Sequence, residues 1–343
     1  MSEAPANPEG ESSGPPRSAL LTGLSGQDGS FLAEQLLQRG YQVSAVVHGA
    51  VDRTLGHAEP LRERVRLLAG DLLAPESLRA AVLQTRPREI YHLGGPSYVP
   101  ASWDRPELTQ RAIVGSTAAL LEAMCTLRRD TGEDARLFLA ASGSMFGEAQ
   151  QSPQREDTPP RPTTPYAIAK LAAHQLAGAY RRDCGLYACS GILYNHESER
   201  RGVEFVSRRI THGAAAISLG LAEDLTLGDL GAVRDWSFAG DITRGAWMML
   251  QPDSPEDFIL ASGIPHTVAE LAHTAFACVG LDAERYLRVE SDLVRPPEST
   301  PSVGDPAKAR TQLGWTPQVD FQQLIERMVQ ADVRALQGQI GKP

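Results

Sequence analysis

The chain has 343 residues, of which 42% are hydrophobic, and a formal net charge of −9. A chain of this length can bury a sizeable core without disulfides or metal ions, and its acidic balance argues against nucleic acid or an anionic membrane surface as the main partner. The four cysteines show no C-x-x-C spacing. We therefore expect free thiols in a reducing compartment and no metal site.

The first 17 residues are rich in Pro, Gly, Ser and Glu and contain no apolar signal-peptide core. This composition predicts a disordered tail over residues 1–17. No later apolar run approaches the roughly 20 residues that are needed to span a bilayer. We expect a cytoplasmic protein that has no membrane partner.

The ordered part begins with a strand, a glycine turn and a helix. Ala19 to Thr22 form an apolar strand, and helical spacing follows the turn until the helix stop at Gly40. The turn reads G-L-S-G-Q-D-G. Glycines at this spacing let the backbone approach a pyrophosphate at the N-terminus of the helix. The pattern predicts a dinucleotide site formed by Gly23, Gly26, Gln27, Asp28 and Gly29.

Strands and helices then alternate along the chain. Further strands are predicted at 41–47, 65–68, 89–93, 136–140 and 187–193, and helices at 75–84, 109–129, 166–183 and 205–219. This alternation predicts an α/β fold with a Rossmann-type, doubly wound parallel sheet. We assign residues 18–190 to this NAD(P)-binding domain, which some later segments rejoin, and residues 191–336 mainly to a smaller C-terminal α/β domain.

The site for the adenosine end of the cofactor is less defined. Asp71 and Leu72 follow the third predicted strand, where the carboxylate could hold the adenine amino group or serve as an acid at the start of the next helix. NAD enzymes usually carry an acid after the second strand, and NADP enzymes carry an arginine. This chain has His48 there, followed by two small residues, and Arg53 farther on. The choice between NAD and NADP therefore stays open.

The strongest catalytic pattern is Y-x-x-x-K at Tyr166 and Lys170. On a helix, residues at i and i+4 lie on the same face, and a lysine ammonium beside a tyrosine favours the phenolate, which can accept a proton. Ser142 stands at the end of a predicted strand before this helix and can share the proton of a substrate hydroxyl. The three residues are typical of secondary-alcohol oxidation with a nicotinamide cofactor.

These patterns, together with N-H-E-S at 195–198 and R-D-W at 234–236, resemble the extended short-chain dehydrogenase/reductases. The resemblance is greatest to the GDP-mannose 4,6-dehydratase family and extends from Ala19 to about Leu336. It implies a nucleotide-sugar substrate and a tightly bound, recycled NAD or NADP. It also implies a homodimer or tetramer formed through the helices at 109–129 and 166–183. The substrate contacts that it implies are Asn195, Arg201, Arg234 and, in the pocket wall, Tyr98.

The arginines at these positions suit a diphosphate, to which they can donate charge-assisted, bidentate hydrogen bonds. The alternative for Arg201 and Arg234 is an ion pair with a nearby acid. An Asn and two Arg residues fit a diphosphate tail better than they fit a small alcohol.

One departure from the family concerns the reaction itself. The family reads S-T-S-E where this chain reads A-S-G-S, so Ser144 replaces the Glu that exchanges protons at C5 and C6 during water elimination. A serine hydroxyl is a poor substitute for a carboxylate in proton transfer. Nucleotide-sugar 4-epimerases have hydroxyl residues at both positions, and we therefore favour a 4-epimerase.

Other reactions remain open. A dehydratase that uses another acid or base is the main alternative, with Glu148, Glu197, Glu199 or the hydroxyl of Tyr98 as candidates. A 4-keto-sugar reductase and a non-catalytic nucleotide-sugar binder are further alternatives.

Overall fold

The computed structural model of the chain describes residues 17–290 and 300–340. Apart from Arg17, the predicted tail lies outside these residues. Within the described ranges, none of the helices is both long enough and apolar enough to cross a membrane.

The described strands and helices alternate over most of the chain. The strands are β1 (Ser18–Thr22), β2 (Gln42–His48), β3 (Val65–Gly70), β4 (Glu89–His92), β5 (Arg136–Ser142), β6 (Tyr187–Leu193), β7 (Asn195–Glu197), β8 (Leu225–Leu227), β9 (Val233–Phe238), β10 (Phe258–Leu260), β11 (Pro265–Thr267) and β12 (Leu287–Val289). The α-helices are α1 (Gln27–Gln38), α2 (Pro75–Thr85), α3 (Ala101–Asp104), α4 (Pro106–Gln110), α5 (Ser116–Thr131), α6 (Pro165–Cys184), α7 (Val206–Ser218), α8 (Ala239–Met249), α9 (Val268–Ala277), α10 (Ala283–Tyr286) and α11 (Phe321–Ile340). 3-10 and π segments are found at Gly56–Arg64, Arg111–Gly115, Gly143–Phe146 and Ala309–Leu313.

The central sheet contains seven parallel strands in the order β10-β6-β5-β4-β1-β2-β3. Side chains alternate between the two faces of β1: Ala19 and Leu21 pack in one apolar core with α1 and α8, whereas Leu20 packs in another with α2, α5 and α6. Because both faces are covered, the strands are apolar throughout. The predicted Rossmann-type α/β fold is confirmed.

The strand order reverses between β1 and β4. From β1 the chain builds the sheet outward through β2 and β3 on one side, and from β4 it builds outward through β5 and β6 on the other. In sheets of this kind, ligands bind in the crevice at the carboxyl ends of the strands where the order reverses. The register aligns Thr22, the last residue of β1, with Val46 and His92. The glycine turn and the residues after β4 therefore lie side by side.

A second, smaller group of elements follows β6. It includes the sheet β11-β9-β7, the pair β12-β8, and the helices α7, α9 and α11 around an apolar core that contains Trp236, Phe276 and Leu324. β7 pairs with β9 in parallel, so that Asn195 lies opposite Trp236.

Several elements differ from those predicted from the sequence, and two of these differences lie in the larger domain. The helix predicted at 109–129 begins earlier, at Pro106, and passes through the π turn Arg111–Gly115 before α5. At this turn the hydroxyl of Thr117 donates to the Ile113 carbonyl, a type of bond that disturbs helical pairing. The seventh strand, β10, was not predicted, since three apolar residues form too short a run to indicate a strand.

Candidate active site

A cavity of about 1310 Å³ opens at the carboxyl edge of the central sheet. It exceeds the roughly 300–1,000 Å³ that are usual for a single small ligand. The cavity is lined by all the predicted cofactor, catalytic and substrate residues: Gly23, Gly26, Gln27, Asp28, Gly29, His48, Asp71, Leu72, Tyr98, Ser142, Ser144, Tyr166, Lys170, Asn195, Arg201 and Arg234. The fold thus brings these separate sequence segments together at one place.

The glycine turn is held by close backbone contacts. A Cβ atom on Gly29 would lie 2.0 Å from the carbonyl oxygen of Gly23, which is too close for any side chain at this position. Gly23 has φ of +83°, a conformation that favours glycine. The same oxygen accepts a hydrogen bond from the Gly26 amide at 3.1 Å, and α1 starts at the next residue. The result is a tight cradle at a helix N-terminus, which fits the pyrophosphate of a dinucleotide.

The residues predicted to hold the adenosine end of the cofactor lie at the ends of β2 and β3. His48 Nδ1 is 3.5 Å from Asp71 Oδ2, but both side chains are exposed, so this pair contributes little to stability. The other oxygen of Asp71 accepts the Leu73 amide at 2.9 Å. Arg53 folds back over the end of β2, where its Nη1 is 3.3 Å from the position of a Cβ on Gly49. The described residues place no carboxylate within ion-pair distance of this guanidinium.

Tyr166 and Lys170 lie on the first turns of α6. The side chain of Thr164 caps this helix by accepting the Ala167 amide at 3.1 Å. Both side chains are buried, and Lys170 donates to the Ala140 carbonyl at 2.8 Å while its Nζ lies 5.7 Å from the centre of the Tyr166 ring. The lysine therefore ties α6 to the end of β5 and places its positive charge beside the tyrosine.

The two serines belong to the turn that ends β5. Ser142 is the last residue of the strand, and its Oγ accepts the amide of Ser144 at 3.2 Å. Ser144 is half-buried and lines the cavity. Glu148 lies four residues farther on, lines the same cavity and is exposed. Among the described residues, no Lys, Arg or His comes within ion-pair distance of Glu148.

His92 was not identified from the sequence. It is buried at the end of β4 and bridges the hydroxyl groups of Thr22 and Ser116, at 2.7 and 2.8 Å. Burial, with a further contribution from the Lys170 charge, lowers the pKa of His92 to about 3. The imidazole is therefore neutral and joins β1, β4 and α5 beneath the site.

The opposite wall of the cavity comes from the residues after β6. Arg201 Nε lies 3.0 Å from Glu197 Oε2, although the N–H bond does not point at that oxygen, and the guanidinium stacks on Phe205 at 3.4 Å. Tyr98 meets the same Phe205 ring edge to face, at 5.7 Å between centroids. This stack joins residues from both parts of the molecule. Phe205 carried no signal in the sequence beyond its aromatic type.

Asp28 and His196 form an ion pair that sequence reasoning also missed. The distance from His196 Nε2 to Asp28 Oδ2 is 2.8 Å, and His196 Nδ1 donates to the Tyr194 carbonyl at 2.7 Å. Despite the opposing effect of burial, the pKa of Asp28 is lowered and that of His196 is raised, because each stabilises the charge of the other. The two residues are 168 positions apart, so no local pattern indicates the contact.

The chain is similar to known proteins over most of its length. Residues 20–328 match the family model described as GDP-mannose 4,6 dehydratase. GDP-mannose 4,6 dehydratase 1 of Arabidopsis thaliana is 40% identical over 331 residues, which cover 93% of this chain and 90% of the relative.

Solved structures of similar fold include both reaction types. UDP-glucose 4-epimerase of Thermus thermophilus, in complex with NAD, is 25% identical with a TM-score of 0.77 over 92% of this chain and 98% of its own. dTDP-glucose 4,6-dehydratase of Streptomyces venezuelae, at 23% identity and a TM-score of 0.80 over 94% of this chain and 98% of its own, shares the fold. From the whole-length match, the chain belongs to the GDP-mannose 4,6-dehydratase family, a family of NAD(P)-dependent nucleotide-sugar enzymes.

Proposed function

We propose that this enzyme oxidises C4 of a GDP-linked hexose and then eliminates water across C5 and C6, as a GDP-mannose 4,6-dehydratase does. The observation that carries the proposal is the likeness to named GDP-mannose 4,6-dehydratases over almost the whole chain, with the Ser-Tyr-Lys set in the same cavity as the glycine turn. The comparisons thus support the dehydratase better than the 4-epimerase that the sequence favoured.

The first step uses residues that meet in the cavity. The phenolate of Tyr166 takes the proton of the C4 hydroxyl, while the Lys170 ammonium stabilises the negative charge. Ser142 donates to or accepts from the same substrate oxygen and orients it. When bound, NAD or NADP supplies the acceptor for the C4 hydrogen and later returns it. Arg201 and Arg234 hold the diphosphate, and Asn195 holds the sugar end.

The elimination needs a group that moves a proton between C5 and the leaving C6 hydroxyl. Ser144 is at the position of the family Glu and is poorly suited to this task. We assign it to Glu148, because this carboxylate lines the same cavity and is exposed, whereas Glu197 is buried and paired with Arg201. Glu148 removes the C5 proton and passes a proton to the C6 hydroxyl, which leaves as water, so that a double bond forms between C5 and C6 of the 4-keto sugar. The hydride that was taken from C4 is then returned at C6, while a solvent proton adds to C5.

The second candidate function is 4-epimerisation, which the Ser144 substitution specifically favours. In that reaction the 4-keto sugar turns over and is reduced on its other face. No carboxylate is required.

Product analysis distinguishes the two functions. We expect purified protein with GDP-mannose in deuterated water to release a product that has lost one water and has gained solvent deuterium at C5. An isomer of unchanged mass without solvent deuterium would overturn the dehydratase assignment and support the epimerase.

The role of Glu148 has its own test. We expect Glu148→Gln to lower the rate of elimination by about 10²–10³-fold, while reduced nicotinamide still forms on addition of substrate. Glu199→Gln is the matched control, because Glu199 does not line the cavity. Full activity of the Glu148 variant would place proton transfer elsewhere.

We also propose a homodimer or tetramer formed through α5 and α6. Ile168 on α6 is 46% exposed, and Trp103 on the nearby α3 is 64% exposed, which suits a subunit contact. We expect Ile168→Asp to lower the mass measured by light scattering, and an unchanged mass would argue against this interface.

A further inference from the structure

The first turn of α1 makes a set of side-chain contacts with residues 194–200. Gln27 Nε2 donates to the His196 carbonyl at 3.0 Å, and Gln27 Oε1 accepts the Ser198 hydroxyl at 2.7 Å. Farther along α1, Arg200 donates to Ser30 at 2.9 Å and, one turn beyond that, to Glu34 at 2.8 Å. The helix that carries the glycine turn is thus tied to the wall of the opposite ligand site.

The Asp28–His196 pair is the charged contact nearest the turn. His196 Nδ1 faces a carbonyl oxygen and Nε2 faces a carboxylate oxygen, and both are acceptors only. Both ring nitrogens must therefore carry hydrogen, which makes the ring an imidazolium. The side chains are 13% and 22% exposed, so the surrounding solvent screens the pair only partly.

The pair also determines how β7 lies in the cavity. Side chains alternate along a strand, so holding His196 on one face directs its neighbours Asn195 and Glu197 to the other. Glu197 is in turn 3.0 Å from Arg201. Asp28 and His196 are therefore positioning residues for the groups that contact the nucleotide sugar.

We propose that the Asp28–His196 pair couples the two ligand sites, so that a dinucleotide bound at the glycine turn raises the affinity for a nucleoside diphosphate at β7, and the reverse. The inference rests on the proposed function, because it requires both ligands to bind.

Two effects produce the coupling. A pyrophosphate at the N-terminus of α1 limits the motion of the first helical turn, which carries Asp28, so the second ligand finds β7 already positioned. The positive charge of Arg201 opposes the protonation of His196. A diphosphate on Arg201 offsets that charge and strengthens the imidazolium–carboxylate pair.

The experiment is a calorimetric titration of GDP into protein stripped of dinucleotide, with and without saturating NADP+ or NAD+. For the unmodified protein we expect the affinity for GDP to be higher by a factor of about 5 or more in the presence of dinucleotide. GDP should raise the affinity for the dinucleotide by the same factor. In His196→Gln the ratio of the GDP affinities with and without dinucleotide should fall to about 1. Asp28→Asn, which is nearly isosteric, should behave in the same way and keeps the test decisive if the first variant folds poorly.

Arg181→Gln is the matched control. It removes a comparably buried pair, Arg181 Nη2 to Asp257 Oδ2 at 2.7 Å, between residues that do not line the cavity. It should lower the melting temperature and leave the ratio unchanged.

The outcomes separate the two claims. A ratio of 1 in the unmodified protein, or a ratio that persists in both variants, overturns the coupling while leaving the proposed function intact. Absence of binding of both ligands to the unmodified protein overturns the proposed function and the coupling with it.

Discussion

The glycine turn after β1 and residues 194–201 after β6 line the same cavity, but different forces hold them. The turn is fixed by its backbone, since the Gly23 carbonyl occupies the space of any Cβ on Gly29. The later segment is fixed by side chains that reach α1, above all His196 to Asp28 and Arg200 to Glu34. The cofactor side of the cavity therefore depends on the absence of side chains, and the substrate side depends on charged side chains paired over long sequence separations.

A further difference is that the cofactor side holds the proposed reacting groups, Ser142, Tyr166 and Lys170. Changes to Tyr166 test chemistry, changes to the turn test backbone geometry, and changes to the substrate side test positioning. We expect changes to Tyr166 to reduce turnover, changes to the turn to reduce stability, and changes to the substrate side to reduce ligand affinity.

The largest effect is expected from Tyr166→Phe. Removing the phenolic oxygen leaves no proton acceptor for the C4 hydroxyl, so turnover should fall by about 10²–10⁴-fold. Binding of GDP, measured by calorimetry, should change little, because the ring remains in place on α6. Unchanged turnover in the variant would show that Tyr166 is not the proton acceptor. Full binding of the nucleotide sugar by a protein that shows no turnover even when unmodified would instead support the non-catalytic binder.

Gly29→Ala should have the next largest effect. The added Cβ must displace the Gly23 carbonyl from a contact of 2.0 Å, which we expect to lower the free energy of unfolding by roughly 3 kcal/mol. Gly26→Ala is the control within the same turn, since its Cβ would be 3.4 Å from the same oxygen, an ordinary contact. Urea denaturation of the two variants measures the difference. Equal stabilities would show that the turn relaxes and is not held by its backbone.

These differences explain which parts of the site could be predicted from sequence. The turn and the Tyr166–Lys170 pair are local patterns, in which spacing alone determines geometry. The His196–Asp28 contact depends on how β7 lies against α1, and Phe205 joins the cavity only because Tyr98 and Arg201 meet it there. Their positions are set by the packing of distant elements, which no short window of sequence records.

The reaction itself shows the same limit. Ser144 is visible in the sequence as a changed residue, and it favoured a 4-epimerase. The similarity over the whole chain supports a dehydratase instead. Ser144 shows only that the family glutamate is missing at that position, and it does not show whether another carboxylate lines the cavity. Glu148 was one of four candidates in the sequence, and its proposed choice among them rests on its exposed position in the cavity wall.

A smaller effect should follow from His196→Gln, and it should depend on pH. The raised pKa of His196 means that its protonation stabilises the fold below pH 6.5, and that this contribution is lost as the pH rises through the folded-state pKa. The lowered pKa of Asp28 means that its contribution is present above pH 3.8 and is lost at more acidic pH. Unfolding at pH 5 to 6 should therefore show the greatest loss in the variant, roughly 2 kcal/mol.

Above that window the unmodified protein and the His196 variant should converge in stability. The charged groups that act on His196 are Asp28, which favours its protonation, and Arg201, which opposes it. A difference that did not change between pH 5 and pH 9 would mean that the contact is a neutral hydrogen bond.

The smallest effect concerns cofactor choice at the end of β2. Arg53 lies over Gly49 and has no carboxylate partner among the described residues. We propose that it accommodates the 2′-phosphate of NADP, as an arginine after the second strand does in NADP enzymes. We expect Arg53→Ala to weaken binding of NADPH by about tenfold, through the loss of one exposed charge-assisted contact, and to leave NADH unaffected. Fluorescence titration of both dinucleotides measures this directly.

The control is Arg66→Ala, because Arg66 is an exposed arginine on the neighbouring strand β3. This change removes the same charge and should leave the ratio of the two affinities unchanged. An equal loss of affinity for NADPH and NADH would show that Arg53 stabilises the loop and does not bind the 2′-phosphate.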